Sequence, residues 1–190
     1  HQPIEHLWSL RMIPHVTLFR PADGVETAMA WAYALMEAKG PTMFALTRQN
    51  VPLLQRPEGF AIRDVWKGGY VISDAENPVA TLIATGSEVG LAIEAQKLLA
   101  EQGTAVRVVS MPSVELFLRQ PREYQEQVLV GRLAAIEAGR TDGWYRIIGR
   151  DGLAIGHEDF GASAPAGVLA EKFGFTPAQV AARVAEWLAE

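Results

Sequence analysis

The feature that most limits the possible folds is an alternation of short apolar runs with longer helical stretches. In the first third, residues 16–19 form a β-branched and apolar run, residues 24–38 form a helical stretch, and residues 42–47 form a second short run. Asp23 stands three residues before Glu26, which is the spacing of a helix capping box. This order predicts a βαβ unit with parallel strands and a right-handed crossover.

The rest of the chain continues the alternation after an irregular stretch. Residues 51–67 contain prolines, a glycine and charges without periodicity, so we expect a surface linker and a domain boundary near residue 65. The two predicted domains are 1–65 and 66–190. The second should hold an edge strand at 69–73, strands at 79–85, 105–109, 132–137 and 153–156, and helices after Gly86-Ser87, at 164–173 and at 177–187.

These elements predict an α/β fold, with a three-layer αβα arrangement and a mostly parallel mixed sheet in the second domain. Ser87, Ser113, Ser163 and Thr176 each precede a predicted helix, so we expect each of them to act as its N-cap. Residues before 16 suggest a polar entry loop.

Composition excludes several classes of function. A net charge of −5 argues against nucleic-acid binding, and the absence of cysteine excludes disulfides, thiolate zinc sites and cysteine nucleophiles. No apolar run approaches the roughly 20 residues that a membrane-spanning helix needs. The chain starts at His1 with neither Met nor a signal pattern, so we expect a cytoplasmic segment of a longer protein.

Arg48 is the strongest candidate site residue that position alone suggests. It follows the predicted strand 42–47, and ligands of open α/β sheets lie beyond the carboxyl ends of the strands. A guanidinium group matches phosphate or carboxylate in a bidentate way. The alternative is a structural ion pair with a neighbouring carboxylate, and the sequence leaves this alternative open.

Other motifs give weak or negative signals. Gly86-Ser87 could bring backbone N–H groups to an anion, but no glycine-rich nucleotide motif is present, and a plain N-cap is the simpler interpretation. His157-Glu158-Asp159 are adjacent and too few to make a regular metal site. Ser163 lacks the G-x-S-x-G pattern of a nucleophile elbow because position 165 is proline.

Several stretches in order resemble the transketolase family over essentially the whole chain. The stretches are His1-Gln2-Pro3-Ile4-Glu5-His6-Leu7, Leu10-Arg11-Met12-Ile13-Pro14, Phe19-Arg20-Pro21-Ala22-Asp23, Thr47-Arg48-Gln49-Asn50-Val51-Pro52, Thr85-Gly86-Ser87-Glu88-Val89, Arg107-Val108-Val109-Ser110-Met111-Pro112-Ser113, Glu137-Ala138-Gly139 and Phe160-Gly161-Ala162-Ser163-Ala164-Pro165-Ala166. Each motif is modest alone, but their number and order make the resemblance specific.

The resemblance implies a homodimeric thiamine diphosphate enzyme with a shared active site. Residues 1–65 would be the last part of its pyrimidine-binding domain, and residues 66–190 its C-terminal domain, which lies away from the chemistry in this family. The implied reaction, in the pentose phosphate pathway, moves a two-carbon ketol unit from a ketose phosphate such as xylulose 5-phosphate to an aldose phosphate. Thiamine diphosphate and Mg²⁺ or Ca²⁺ would be bound by residues absent from this chain, which alone should be inactive.

Two site residues are implied by the matching motifs. His1 matches the histidine that contacts the sugar near the reacting carbon and helps to move protons, and an imidazole suits that work near neutral pH. Arg48 matches the arginine that holds the substrate phosphate. Alternatives are dihydroxyacetone synthase, 1-deoxyxylulose 5-phosphate synthase, or a non-catalytic dimerisation or regulatory module of the same fold.

Overall fold

Two sheets, each with helices packed on it, organise the chain in the computed structural model, which describes residues 2–190. The helices are α1 (His6–Arg11), α2 (Gly24–Met36), α3 (Glu88–Glu101), α4 (Val114–Phe117), α5 (Arg122–Val128), α6 (Tyr145–Ile148), α7 (Ala166–Phe173) and α8 (Pro177–Ala189). The strands are β1 (Thr17–Phe19), β2 (Thr42–Phe44), β3 (Tyr70–Ser73), β4 (Ala80–Ala84), β5 (Val106–Ser110), β6 (Arg132–Ile136) and β7 (Leu153–Ile155). Short 3₁₀ helices lie at Ile62–Lys67 and Asp142–Trp144.

The predicted βαβ unit is confirmed. Strands β1 and β2 pair in parallel, and α2 connects them. The Asp23 carboxylate caps α2 by accepting from the Glu26 backbone N–H at 3.1 Å. The reciprocal half of the capping box is displaced by one residue, because the Glu26 carboxylate accepts from Ala22 N–H at 2.7 Å instead.

The second sheet is mixed and mostly parallel, as predicted. Its strand order is β3-β5-β4-β6-β7, and β3 is antiparallel at one edge while the other neighbours are parallel. Helices α3 and α8 contact each other and pack on one face, around Leu99 and Val184. Phe117 of α4, Val128 of α5 and Ile148 of α6 pack on the other face. The prediction of three layers is therefore confirmed.

Three short helices were not predicted: α1, α5 and α6. Residues before 16 were expected to be a polar loop, but they contain α1, which exposes polar side chains on one side and places Trp8 and Arg11 against the second domain. Helix α5 was missed because its sequence is almost wholly polar. Only its last residue, Val128, is buried, and Tyr124 of the same helix packs on Phe117. Tertiary contacts, not local periodicity, stabilise α1 and α5.

The predicted N-caps are only partly right. The Thr176 hydroxyl caps α8 by accepting from Gln179 N–H at 3.3 Å. Ser87 and Ser113 precede their helices but accept no capping bond from a backbone N–H. Their hydroxyls donate to nearby carboxylates instead, Ser87 to Glu88 at 2.7 Å and Ser113 to Glu115 at 3.1 Å.

The stretch 51–67, expected to be a surface linker, is docked on helix α2 and its N-cap. Trp66 in its 3₁₀ helix donates from Nε1 to the Met29 carbonyl at 2.8 Å, and Val65 is buried. Arg56 forms an ion pair with Asp23, the residue that caps α2. A domain boundary near residue 65 stays a prediction.

A close contact between Trp8 and Gly143 fixes α1 on the second domain. A Cβ atom on Gly143 would collide with the Trp8 indole, whose ring meets Trp144 edge-on at 5.5 Å between centroids. Gly143 has an ordinary backbone conformation, since its φ angle is negative. The glycine is therefore required for space and not for its conformational freedom.

We expect Gly143→Ala to lower the free energy of unfolding by roughly 1–3 kcal/mol, because overpacking forces the indole to move. In a Trp8→Ala background the added methyl group has room, and the same substitution should cost less than about 0.5 kcal/mol. Urea unfolding of the two single variants and the double variant measures both effects. Equal costs in the two backgrounds would contradict the packing argument.

Candidate functional site

The carboxyl ends of strands from both sheets converge on Arg20, the residue directly after β1. Its backbone N–H donates to the Pro112 carbonyl beyond β5 at 2.8 Å, and its carbonyl accepts from Gly86 N–H beyond β4 at 3.0 Å. Its guanidinium donates to the Thr85 carbonyl at 2.9 Å. Gly86 has a φ of +58°, and a Cβ atom there would lie 2.8 Å from the Arg20 side chain. The two sheets thus share one edge, where α/β proteins place their ligands.

Arg48 lies at this shared edge, in the loop that follows β2. Its side chain is exposed, and among residues 2–190 it has no ion-pair partner. The loop turns because the Thr47 hydroxyl accepts from Gln49 N–H at 3.2 Å. The structural ion pair that the sequence left open is therefore not formed within the described chain, and the guanidinium is available to an anion.

His1, the other predicted site residue, lies outside the described residues. The next residue, Gln2, is held by the second domain: its Nε2 donates to the Ser163 hydroxyl at 2.5 Å, and its carbonyl accepts from Gly161 N–H at 3.1 Å. The predicted N-cap role of Ser163 is wrong, because Pro165 precedes α7 and the Ser163 hydroxyl is engaged by Gln2 instead.

Grooves flank the Arg48 loop on both sides. One, of about 450 Å³, separates Thr47 and Gln49 from Ser87, His157 and the start of α7. Another, of about 460 Å³, runs along the start of α2 and shares Thr47 and Gln49. The loop therefore stands between two concave surfaces that a small polar molecule can enter.

Beneath the shared edge lies a buried cluster of charges, which we call the ion cluster: Arg11, Arg20, Glu88 and Glu137. Arg11 binds Glu137 in a bidentate way, at 2.8 and 2.9 Å, with side-chain exposures of only 3% and 0%. Arg20 pairs with Glu88 and lies 3.6 Å from Glu137. Trp144 Nε1 also donates to Glu137 at 2.9 Å. Both arginines come from the part of the chain that carries the two-stranded sheet, here the first unit, and both glutamates from the part that carries the five-stranded sheet, here the second unit.

Two members of the ion cluster, Glu137 and Arg20, keep their charges favoured despite burial. Burial alone would raise the pKa of Glu137, but Arg11 and Arg20, with the hydrogen bond from Trp144, outweigh it and lower the pKa below the usual range. Burial likewise opposes the charge on Arg20, and the neighbouring Glu88 and Glu137 carboxylates raise its pKa in compensation. Each charge is thus tolerated only because its partners across the domain joint are present.

Arg11→Met should lower the free energy of unfolding by about 3–5 kcal/mol, because it leaves the Glu137 carboxylate buried without its bidentate partner. Arg122→Met is a matched control, since the Arg122–Glu126 pair is exposed, and it should cost less than about 1 kcal/mol. The double variant Arg11→Met, Glu137→Gln should lose less than the sum of its single variants. Urea unfolding measures all four, and equal costs for Arg11→Met and Arg122→Met would contradict the argument.

The three side chains of the charged triplet 157–159 make separate contacts. The His157 ring contacts the Phe160 carbonyl at 3.0 Å, Glu158 pairs with Arg140, and Asp159 accepts from Phe160 N–H. Among residues 2–190, no three His, Cys, Asp or Glu side chains are grouped as metal ligands. Within the same residues, no helix combines the length and apolar character that a membrane crossing requires.

A cleft of about 960 Å³ lies between α1 and the helices α4 and α6, and Arg11 of the ion cluster, Arg119 and Arg146 are among the residues that line it. None of the residues predicted from sequence as phosphate-binding or catalytic lines this cleft in the described chain, and no strand ends there. We therefore place the candidate site at the shared edge, where strand ends, the Arg48 loop and Gln2 come together.

Sequence reasoning missed Arg20, Glu88 and Glu137. The logic that selected Arg48, an arginine directly beyond a strand, applies equally to Arg20, so this residue could have been found. Glu137 also follows a strand directly, but its partner Arg11 is separated from it by 126 positions and carries no local signal. The pairing depends on how the two units dock.

Comparison with known proteins gives two family matches. Residues 68–176 match the family described as the transketolase-like C-terminal domain. Residues 1–53 match the family described as the transketolase pyrimidine-binding domain. The first match alone covers more than half of the chain.

Relatives and solved structures agree with these matches. The transketolase of Aquifex aeolicus is 48% identical over 98% of the chain, which spans 28% of that relative's length. A crystal structure of Pichia stipitis transketolase with sedoheptulose 7-phosphate has a TM-score of 0.92 at 39% identity, covering 100% of the chain and 27% of its own. A split-gene transketolase, described as an inactive β4 tetramer, has a TM-score of 0.80 at 28% identity, with coverages of 100% and 63%. The chain therefore belongs to the transketolase family.

Proposed function

We propose that the chain takes part in the transfer of a two-carbon ketol unit from a ketose phosphate to an aldose phosphate. The observation that carries this proposal is the exposed Arg48 guanidinium, without an ion pair in the described chain, at the edge where the strands of both sheets end. Its planar fork suits the phosphate of a sugar phosphate. The structure with sedoheptulose 7-phosphate bound to the Pichia stipitis relative supports this class of substrate.

Thiamine diphosphate is the cofactor that we propose for the reaction. When bound, its thiazolium ring supplies the electron sink for breaking the bond beside a ketose carbonyl. Residues 2–190 contain no group of three His, Cys, Asp or Glu side chains that could hold a divalent cation. We therefore assign Mg²⁺ or Ca²⁺, and the diphosphate that it would bind, to a part of the enzyme other than these residues.

His1 is proposed to contact the sugar and to move protons near the reacting carbon, on the strength of its motif. A homodimer with a shared active site and a cytoplasmic, pentose phosphate pathway role complete the proposal. The named relatives are transketolases, which favours this activity over dihydroxyacetone synthase and 1-deoxyxylulose 5-phosphate synthase. The split-gene relative, inactive as a β4 tetramer, supports the expectation that this chain needs a complementary part.

The chain alone should neither bind thiamine diphosphate nor form sedoheptulose 7-phosphate from xylulose 5-phosphate and ribose 5-phosphate. A complete subunit that contains residues 1–190 should do both. Such a subunit can be built by joining the chain to the preceding part of the Aquifex aeolicus relative. Calorimetric titration and a coupled assay measure the two properties. Tight binding by the chain alone would refute the cofactor assignment, and an inactive complete subunit that binds cofactor would favour a non-catalytic module.

In the complete subunit, Arg48→Ala should raise KM for phosphorylated sugars about 30-fold, equivalent to ~2 kcal/mol for a lost charged hydrogen bond, with little change in kcat. Arg48→Lys should recover only part of this loss because an ammonium group cannot bind a phosphate in a bidentate way. Steady-state kinetics with phosphorylated and unphosphorylated ketoses measure the effect.

The matched control is Arg122→Ala, which removes an exposed arginine on α5 and should leave KM unchanged. An unphosphorylated ketose should have the same KM in the Arg48→Ala variant as in the unsubstituted enzyme. If KM rose equally for both ketoses, Arg48 would have a structural role and not a phosphate-binding one.

A further inference from the structure

Gln2, the residue bonded to His1, is joined to a loop of the second domain that is 161 positions away in sequence. One hydrogen bond uses its side chain, from Nε2 to the Ser163 hydroxyl at 2.5 Å. The other uses its backbone, since the Gly161 N–H donates to the Gln2 carbonyl at 3.1 Å. A side-chain bond and a main-chain bond together fix both the position and the orientation of the residue.

The backbone at Gln2 has a conformation that needs such support. Its φ is +54°, in the left-handed region that residues other than glycine rarely adopt. Gly161 allows the close approach, because a Cβ atom there would lie 3.1 Å from the Gln2 Cβ. Strained conformations persist where the surroundings hold them, and they are concentrated at functional sites.

The loop that holds Gln2 is itself braced. The His157 ring contacts the Phe160 carbonyl at 3.0 Å and lies 4.2 Å from the Phe173 ring of α7, between centroids. The His157 N–H donates to the Gly139 carbonyl at 2.9 Å, beyond β6. These contacts attach the loop to the sheet of the second domain. Gln2 is attached to the same sheet through its two hydrogen bonds to the loop.

We infer that Gly161 and Ser163 are positioning residues for ketol transfer, acting through Gln2 on the loop that carries His1. This inference rests on the proposed function, and it gives the second domain a part in the chemistry. His1 shares a peptide bond with Gln2, so the contacts that fix Gln2 are, along the chain, the described contacts nearest to the residue proposed to move protons. Misplacement of a catalytic group by about 1 Å can lower a rate by as much as 100-fold.

The test uses steady-state kinetics of the complete subunit with Ser163→Ala, Ser163→Thr and Gly161→Ala. Ser163→Ala removes the acceptor of the Gln2 bond, and it should lower kcat on the order of tenfold while KM for phosphorylated sugars stays within about twofold. Ser163→Thr keeps the hydroxyl and should restore most of kcat. Gly161→Ala should lower kcat similarly, because its methyl group presses on Gln2.

Matched controls separate positioning from general damage. Gly167→Ala adds the same methyl group in α7, where no atom lies within 4 Å, and should leave kcat unchanged. Ser9→Ala removes an exposed hydroxyl whose bond is to the Glu5 carbonyl of its own helix, and should also leave kcat unchanged. Thermal unfolding and thiamine diphosphate affinity of Ser163→Ala should match those of the unsubstituted subunit.

A double-mutant cycle with His1→Gln gives the decisive readout. If Ser163 acts through His1, Ser163→Ala should lower kcat about tenfold in the unsubstituted background and less than twofold in the His1→Gln background. Equal reductions in both backgrounds, or kinetics of Ser163→Ala equal to those of the controls, would overturn the inference and leave the proposed function standing. An unsubstituted complete subunit without activity would instead refute the proposed function.

Discussion

The bidentate contact between Arg11 and Glu137 is the interaction on which the arrangement of the two units depends. Both side chains are almost fully buried, and the guanidinium and the carboxylate come from opposite sides of the joint. Neither charge could be left in this place alone, since an unpaired buried charge is far more costly than an exposed one. Arg20 and Glu88 form a second ion pair across the same joint. Together the two pairs hold the units in one orientation, in which the two sheets meet at the shared edge.

This orientation brings together residues that sequence keeps far apart. The Arg48 loop follows the small sheet, whereas Ser87 and the loop around His157 follow strands of the large sheet. Because the strands of both sheets end at the same edge, their connecting loops form the walls of common grooves. The active-site role proposed for Arg48 and the positioning role inferred for Ser163 both depend on this convergence, although the two residues lie in different units.

Much of the fold could be predicted from sequence, because each strand and each long helix carries its own periodic signal. The βαβ unit, the mixed sheet and the Thr176 cap follow from local patterns of this kind. Helices α1 and α5 could not be predicted, since contacts with distant residues stabilise them. At the candidate site, Arg48 could be selected from its place after a strand. The ion cluster and the Gln2–Ser163 bond could not, because both pair residues whose proximity only the docked structure creates.

The distance along the chain between Gln2 and Ser163 has a consequence for biosynthesis. A ribosome adds roughly 5–20 residues per second, so the 161 positions between them take about 10–30 s to synthesise. During that interval Gln2 has been synthesised but its hydrogen-bond partner Ser163 has not. Arg11 is likewise synthesised 126 positions before its partner Glu137. The small sheet therefore reaches its final environment only after the loop around Ser163 has been synthesised.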